Sequence, residues 1–160
     1  MTARLEFRRP LLADAAALFA FMGDAEAMRW THVQASVRDL RRYLAAHACQ
    51  ARKIGFGPWT VIEAASGRIV GFGGLYDDPF DPGWGLEVAY FFAPEVWGRG
   101  YASELVQASL AAARAGGAPL LTAFAHPQNP ASRRVLEKAG FRRERFVPEM
   151  ERDVFRLGLG

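Results

Sequence analysis

At 160 residues, 51% hydrophobic and 12% aromatic, the chain has enough apolar material for one closed core, and a single domain over 1–160 is the natural count. Its net charge of +3 divides into +2 over residues 1–50, −2 over 51–130 and +3 over 131–160; no basic stripe interleaved with aromatics points to nucleic acid. No segment approaches the ~20 apolar residues of a membrane helix, the opening MTARLEFRRP has no apolar core of a secretion signal, and the single cysteine, Cys49, excludes an internal disulfide and a cysteine metal cluster. A soluble cytoplasmic protein follows as the default, with Cys49 read as a small core side chain.

Leu5 and Phe7 alternate with charges, a strand signal, and LADAAALFAFM repeats its apolar residues at helical spacing. Ser36 with Asp39 three residues on resembles a capping box opening a second helix through about Lys53, with Leu40 and Leu44 on one face. WTVIEA and RIVGFGGLY flank Ala-Ser-Gly and read as an antiparallel hairpin. An acidic loop, DDPFDPGW, carries Asp77, Asp78 and Asp81; it would suit a cationic ligand, and loop solubility explains it equally well. GLEVAYFF is β-rich up to Pro94, and residues 101–115 form an alanine-rich helix closed by Gly116-Gly117. PLLTAFAH is a buried strand, Asn129 caps a helix with Pro130 at its first position, and FRRERF and RDVFRL are the final strands. The order β-α-α-β-β-β-α-β-α-β-β implies an α+β fold: one mixed sheet with helices on its faces.

WGRGYASE, residues 97–104, joins the fourth strand to its helix. Two glycines let the backbone approach a ligand, and the helix N-terminus behind them favours an anion. A P-loop fails, because Tyr101 follows Gly100 where Lys is needed. A dinucleotide fingerprint fails too: its third glycine would be Ser103, and no acid stands on the next strand.

Trp97-Gly98-Arg99-Gly100-Tyr101-Ala102 is similar to the Gln/Arg-x-x-Gly-x-Gly/Ala pyrophosphate loop of the GNAT superfamily of N-acetyltransferases, departing from it at Trp97. Asn129-Pro-Ala-Ser132, Glu137-Lys-Ala-Gly-Phe141, the opening Leu5-x-x-Arg8-Arg9-Pro10 with Asp14, and the tail Glu151-Arg-Asp-Val-Phe-Arg-Leu157 resemble the ribosomal-protein N-terminal acetyltransferase (RimJ/RimL-like) branch. The resemblance implies a mostly antiparallel sheet splayed between strands 4 and 5, and acetyl-CoA as co-substrate. It implies amides of Gly98, Arg99, Gly100, Ala102 and Ser103 on the pyrophosphate, Arg99 adding charge, with Phe91, Phe92, Trp97 and Tyr101 completing the coenzyme site.

Amine acetylation needs a neutral amine, a polarised carbonyl and a proton for the leaving sulfur. By the same resemblance Glu87 is the candidate base, an amide near Phe91 holds the acetyl oxygen, and Ser132 stands by the sulfur. Leu136 occupies the place where many relatives carry a tyrosine acid. A surface-facing strand glutamate is the plainer reading of Glu87. Asn129 is read as contacting the pantetheine arm or as a helix cap, two compatible roles. His32, His47 and His126 have no ligand spacing, so no metal is expected. His126 reads as structural, and Trp30, Trp59 and Trp84 as core or cleft-wall aromatics. The expected activity is acetyl transfer to a primary amine, a protein N-terminus or a small molecule, by a monomer or homodimer. A coenzyme-binding sensor that does not turn over is the alternative.

Overall fold

The alternation at Leu5 and Phe7 builds the first strand, β1 (Leu5–Arg8), in a computed structural model that describes residues 3–160. A single 3-10 turn, Leu12–Asp14, precedes α1 (Ala15–Met22), so the helix proper begins later than the apolar pattern suggests. The turn is shaped by Asp14, which is 4% exposed. Its carboxylate accepts both guanidinium nitrogens of Arg8, the Leu11 amide and the Thr60 hydroxyl, each at 2.8 Å. Burial works against its charge, but these four hydrogen bonds outweigh burial and hold the carboxyl below its ordinary value.

Ser36 caps α2 (Val37–Ile54) by accepting the Asp39 amide at 3.0 Å. Leu40, Leu44 and His47 make its buried stripe. Cys49, expected in the core, is exposed, because two residues past His47 is about 200° further round the helix. The hairpin follows as β2 (Pro58–Glu63) and β3 (Arg68–Tyr76), then β4 (Glu87–Phe92), α3 (Tyr101–Ala115), β5 (Leu120–Ala125), α4 (Pro130–Lys138), β6 (Arg142–Val147) and β7 (Arg152–Gly158).

The seven strands lie in the order β1-β2-β3-β4-β5-β7-β6. Every neighbouring pair is antiparallel except β4 and β5, which are parallel across α3. One face is covered by α1 and α2, packed through Leu18, Phe21, Met22, Leu40 and Leu44 on Phe72. The other carries α3 and α4, with Leu105, Val106, Leu110 and Leu136 over Val61, Val88 and Leu121. Each such side chain, at 3% exposure or less, contributes roughly 1.5–3 kcal/mol by leaving water.

Candidate active site

Strands β4 and β5 share one register pair, Glu87 with Thr122, fastened by the Thr122 amide on the Leu86 carbonyl at 3.0 Å. Beyond it the two strands part, each hydrogen-bonded only on its far side, β4 to β3 and β5 to β7. The result is a wedge-shaped opening in mid-sheet.

Strand alternation decides which groups border that opening. The Leu86 carbonyl faces β5 and the Ala93 amide donates to Val70 next to β3 at 2.9 Å, and the β3–β4 register between them is unbroken. Counting in twos, the amides of Val88, Tyr90 and Phe92 turn toward the splay. The Phe91 amide itself turns toward β3, so of the amides near Phe91 those of its neighbours Tyr90 and Phe92 are the ones that border the opening. The ring of Phe91 packs with the α1–α2 cluster.

Side chains alternate in the same way, so Glu87 and Tyr90 stand on opposite faces of the sheet. Glu87 is on the α1–α2 face beside its cross-strand partner Tyr76 and is 6% exposed, not a surface residue. Burial, reinforced by the negative charge of Asp78 and weakly by Asp81 and Asp77, pushes its carboxyl up to about 8 despite the opposing charge of Arg152. The acidic loop therefore converges on the candidate base.

On the α3–α4 face the Tyr90 hydroxyl lies 2.7 Å from the Ser132 hydroxyl and 3.3 Å from the Ser132 carbonyl. Burial raises the phenol to about 12, with the Ser132 hydrogen bond pulling weakly the other way. Sequence reasoning singled out Ser132 and missed Tyr90. In the chain Tyr90 is one aromatic among several in a β-rich run, and no periodicity reveals a contact with a helix 42 positions on. Asn129 caps α4, its Oδ1 accepting the Ser132 amide at 3.3 Å, which fixes the turn that presents Ser132.

Above the splay, Gly98 and Gly100 have φ of +78° and +81°, the left-handed region in which side-chain-bearing residues are strained. Gly100 is the N-cap of α3 and offers no side chain to the first amides of the helix, so those of Tyr101, Ala102 and Ser103 have no intrahelical acceptor. A Cβ on Gly98 would meet nothing within 4 Å, so the ground before the loop is open. This donor set fits a pyrophosphate. The loop is braced from behind: Arg4 bonds the Arg99 carbonyl at 2.8 Å and pairs with Glu104, and Tyr101 donates to Glu63 at 2.8 Å. The Arg99 guanidinium is likewise paired with Glu63, at 3.0 Å, so its charge is partly met within the chain. Trp97 spends its indole N–H on the Phe92 carbonyl at 2.8 Å and is otherwise half exposed.

Residues 4–142 match the family model described as an acetyltransferase (GNAT) domain. The chain belongs to the GNAT acetyltransferase family. Across 96% of its length it is 25% identical to the uncharacterized protein YkkB of Bacillus subtilis strain 168, 91% of which it spans. The GNAT fold recurs in the putative GnaT-family acetyltransferase of Bordetella pertussis, with a TM-score of 0.82 and 25% identity over 98% of this chain and 96% of that one. The same fold is found in the Salmonella typhimurium putative acetyltransferase YncA, solved with its cofactor acetyl-CoA (TM-score 0.76, 20% identity, 99% and 95% covered). Ribosomal-protein-S5-alanine acetyltransferase of Vibrio fischeri shares the fold alone, at 15% identity (TM-score 0.77, 99% and 94% covered).

As a GNAT member the chain is an acetyltransferase with acetyl-CoA as co-substrate. The expected α+β architecture, with its single parallel step and open sheet, is the one present. Among the described residues no group of His, Cys, Asp or Glu is arranged to hold a metal, and no helix is long and apolar enough to cross a membrane.

Proposed function

We propose that this GNAT domain acetylates a cationic primary amine that reaches the splay from the α1–α2 face, while the coenzyme lies on the α3–α4 side. The observation that carries this reading is Glu87: a buried carboxyl at the foot of the opening, ringed by Asp78, Asp81 and Asp77. A group in that setting binds a proton readily, and an ammonium adds positive charge where Arg152 only partly offsets the carboxylates.

Acetyl-CoA, when bound, supplies the acetyl group as a thioester open to attack by an amine. Loop amides of Gly98, Arg99, Gly100, Ala102 and Ser103 hold the pyrophosphate in this reading, and Asn129 the pantetheine arm. Glu87 takes the amine's proton at its carboxylate, directly or through water. The amides of Tyr90 and Phe92, on either side of Phe91, turn toward the splay and donate to the acetyl oxygen. Ser132 Oγ donates toward the coenzyme sulfur, Tyr90 Oη restores the serine's proton over the 2.7 Å contact, and the phenol is reprotonated through water, balancing the second proton that the attacking nitrogen gives up. Tyr90 thus provides, from β4, the phenol that Leu136 leaves out of α4. The Asn129–Ser132 and Glu137–Phe141 segments support a place near the RimJ/RimL-like branch, without selecting a ribosomal acceptor.

The test is acceptor-dependent thiol release from acetyl-CoA with a panel of polyamines, amino-acid amides, aminoglycosides and short peptides. Acceptors with a second positive charge should be preferred, and Glu87→Gln should reduce the rate with all of them. Preference for acidic acceptors would overturn the assignment of this face, and coenzyme binding without release for any amine would favour a sensor.

A further inference from the structure

A cavity of about 440 Å³ lies between the C-terminal half of α2 and the start of β2, and no residue of the acetyl-transfer site lines it. Leu44, Phe56, Pro58 and Trp59 give it apolar walls, Arg9 and Arg52 border it, and no acidic side chain does. Among the described residues neither arginine is paired with a carboxylate.

The His47 ring borders the same cavity from the buried stripe of α2, with both nitrogens buried away from the open space. It is 2% exposed, and neither ring nitrogen has a hydrogen-bond partner. The rings of Tyr43 and Tyr76, each 4.5 Å away between centroids, supply packing but no acceptor in line. A neutral imidazole carries one donor and one acceptor. Leaving both unmet inside a protein is uncommon. Burial pushes the ring down to about 4, so the imidazole beside the cavity is neutral.

We propose that this cavity is a second small-molecule site, taking a carboxylate on an aromatic body. Arg9 and Arg52 meet the carboxylate, Trp59 and Leu44 flank the aromatic body, and the His47 ring packs against its edge. The volume falls within the range of small-ligand pockets, and the two cations with no lining acid select an anion. Tyr76, which touches His47, is the cross-strand partner of Glu87. The occupant therefore sits two rings, His47 and Tyr76, behind the candidate base.

Benzoate, phenylacetate and indole-3-acetate are the probes, titrated by calorimetry and by long-range ¹H–¹⁵N correlation of the imidazoles, with His47 assigned by its loss in His47→Phe. At least one acid should bind with a Kd of about 1 mM or tighter and shift the His47 nitrogens. Its amide counterpart, and the exposed-site variants Arg9→Ala and Arg52→Ala, should each weaken binding about tenfold through the lost charge-assisted bonds. Acetyl-CoA affinity should be unchanged in both arginine variants. If none of the three acids moves His47 at about 10 mM, or the amide binds as well as the acid, or the double arginine variant binds like wild type, the site assignment is wrong.

Discussion

The Tyr90 hydroxyl sits 2.7 Å from the Ser132 hydroxyl, joining the middle of β4 to the first turn of α4. If the pair works as one relay, removing either hydroxyl should cost nearly as much as removing both. Tyr90→Phe and Ser132→Ala should each lower turnover about tenfold, ~1.4 kcal/mol, with the coenzyme Michaelis constant unchanged. Two independent contributions would instead multiply in the double variant. Pre-steady-state acetyl transfer in the four proteins of the cycle separates these outcomes.

As the proposed base, Glu87 should govern the pH profile. With its carboxyl raised to about 8, the catalytic rate of wild type should climb through that pH as the base ionises. Glu87→Gln keeps the shape but takes no proton, so near neutral pH it should be slower by roughly 10²-fold or more. Toward the acceptor's own pKa the amine arrives neutral, and the variant should recover relative to wild type. A raised Michaelis constant for the amine with full maximal rate would make Glu87 an orienting residue instead.

The same carboxyl sets a stability trend of definite sign. Its folded value is about 8 and its ordinary value 4.5, so between those pH values the folded state binds more protons than the unfolded chain. That contribution is whole below 4.5 and is lost as pH rises through 8. Glu87→Gln never ionises. Its melting temperature should therefore gain on wild type as pH goes from 5 to 9; a constant difference in calorimetry would contradict the raised value.

Asp14 behaves in the opposite sense. Held below its ordinary 3.8, it stabilises the fold above that pH and ceases to as pH falls through its folded value. Asp14→Asn breaks the Arg8 fork, and because Arg8 is 37% exposed the loss should be about 2 kcal/mol, below the range for a fully buried pair. Urea unfolding at pH 7 should show that gap, and at pH 3 the gap should narrow.

The sequence made the elements legible because the cues for them are local: the Ser36 cap, Pro130 at the first turn of α4, and the alternation in β1. The glycine turn that opens α3 was readable for the same reason. What escaped was set by register. Whether Glu87 faces water or the core depends on the helices covering that face of the sheet, and which amides near Phe91 border the splay depends on the parity of β4. Tyr90 needed α4 brought over it. Cys49 was misplaced because a small apolar side chain says nothing of its angle on a helix already supplied with Leu40, Leu44 and His47.

The loop at 98–100 allows a test in which strain and charge separate. Gly100 has φ +81°, so Gly100→Ala pays only for the left-handed backbone, about 1–2 kcal/mol of stability, and an added Cβ would have Arg4 for a neighbour at 3.4 Å, ordinary contact. Gly100→Glu carries the same strain and adds a negative charge to the loop on which an anion is proposed to bind, beside Arg4, whose own charge is already met by Glu104. In wild type, acetyl-CoA at a hundredfold excess over its dissociation constant should stabilise the fold by ~2.7 kcal/mol. The alanine variant should melt lower yet keep most of that increment, since the amides of Tyr101, Ala102 and Ser103 remain in place. The glutamate variant should melt at a temperature near the alanine variant's and lose the increment. Differential scanning calorimetry with and without acetyl-CoA reads both quantities at once. Retention of the full increment in Gly100→Glu would remove the loop from the coenzyme site, and equal loss in both variants would show that backbone geometry, and not charge, controls it.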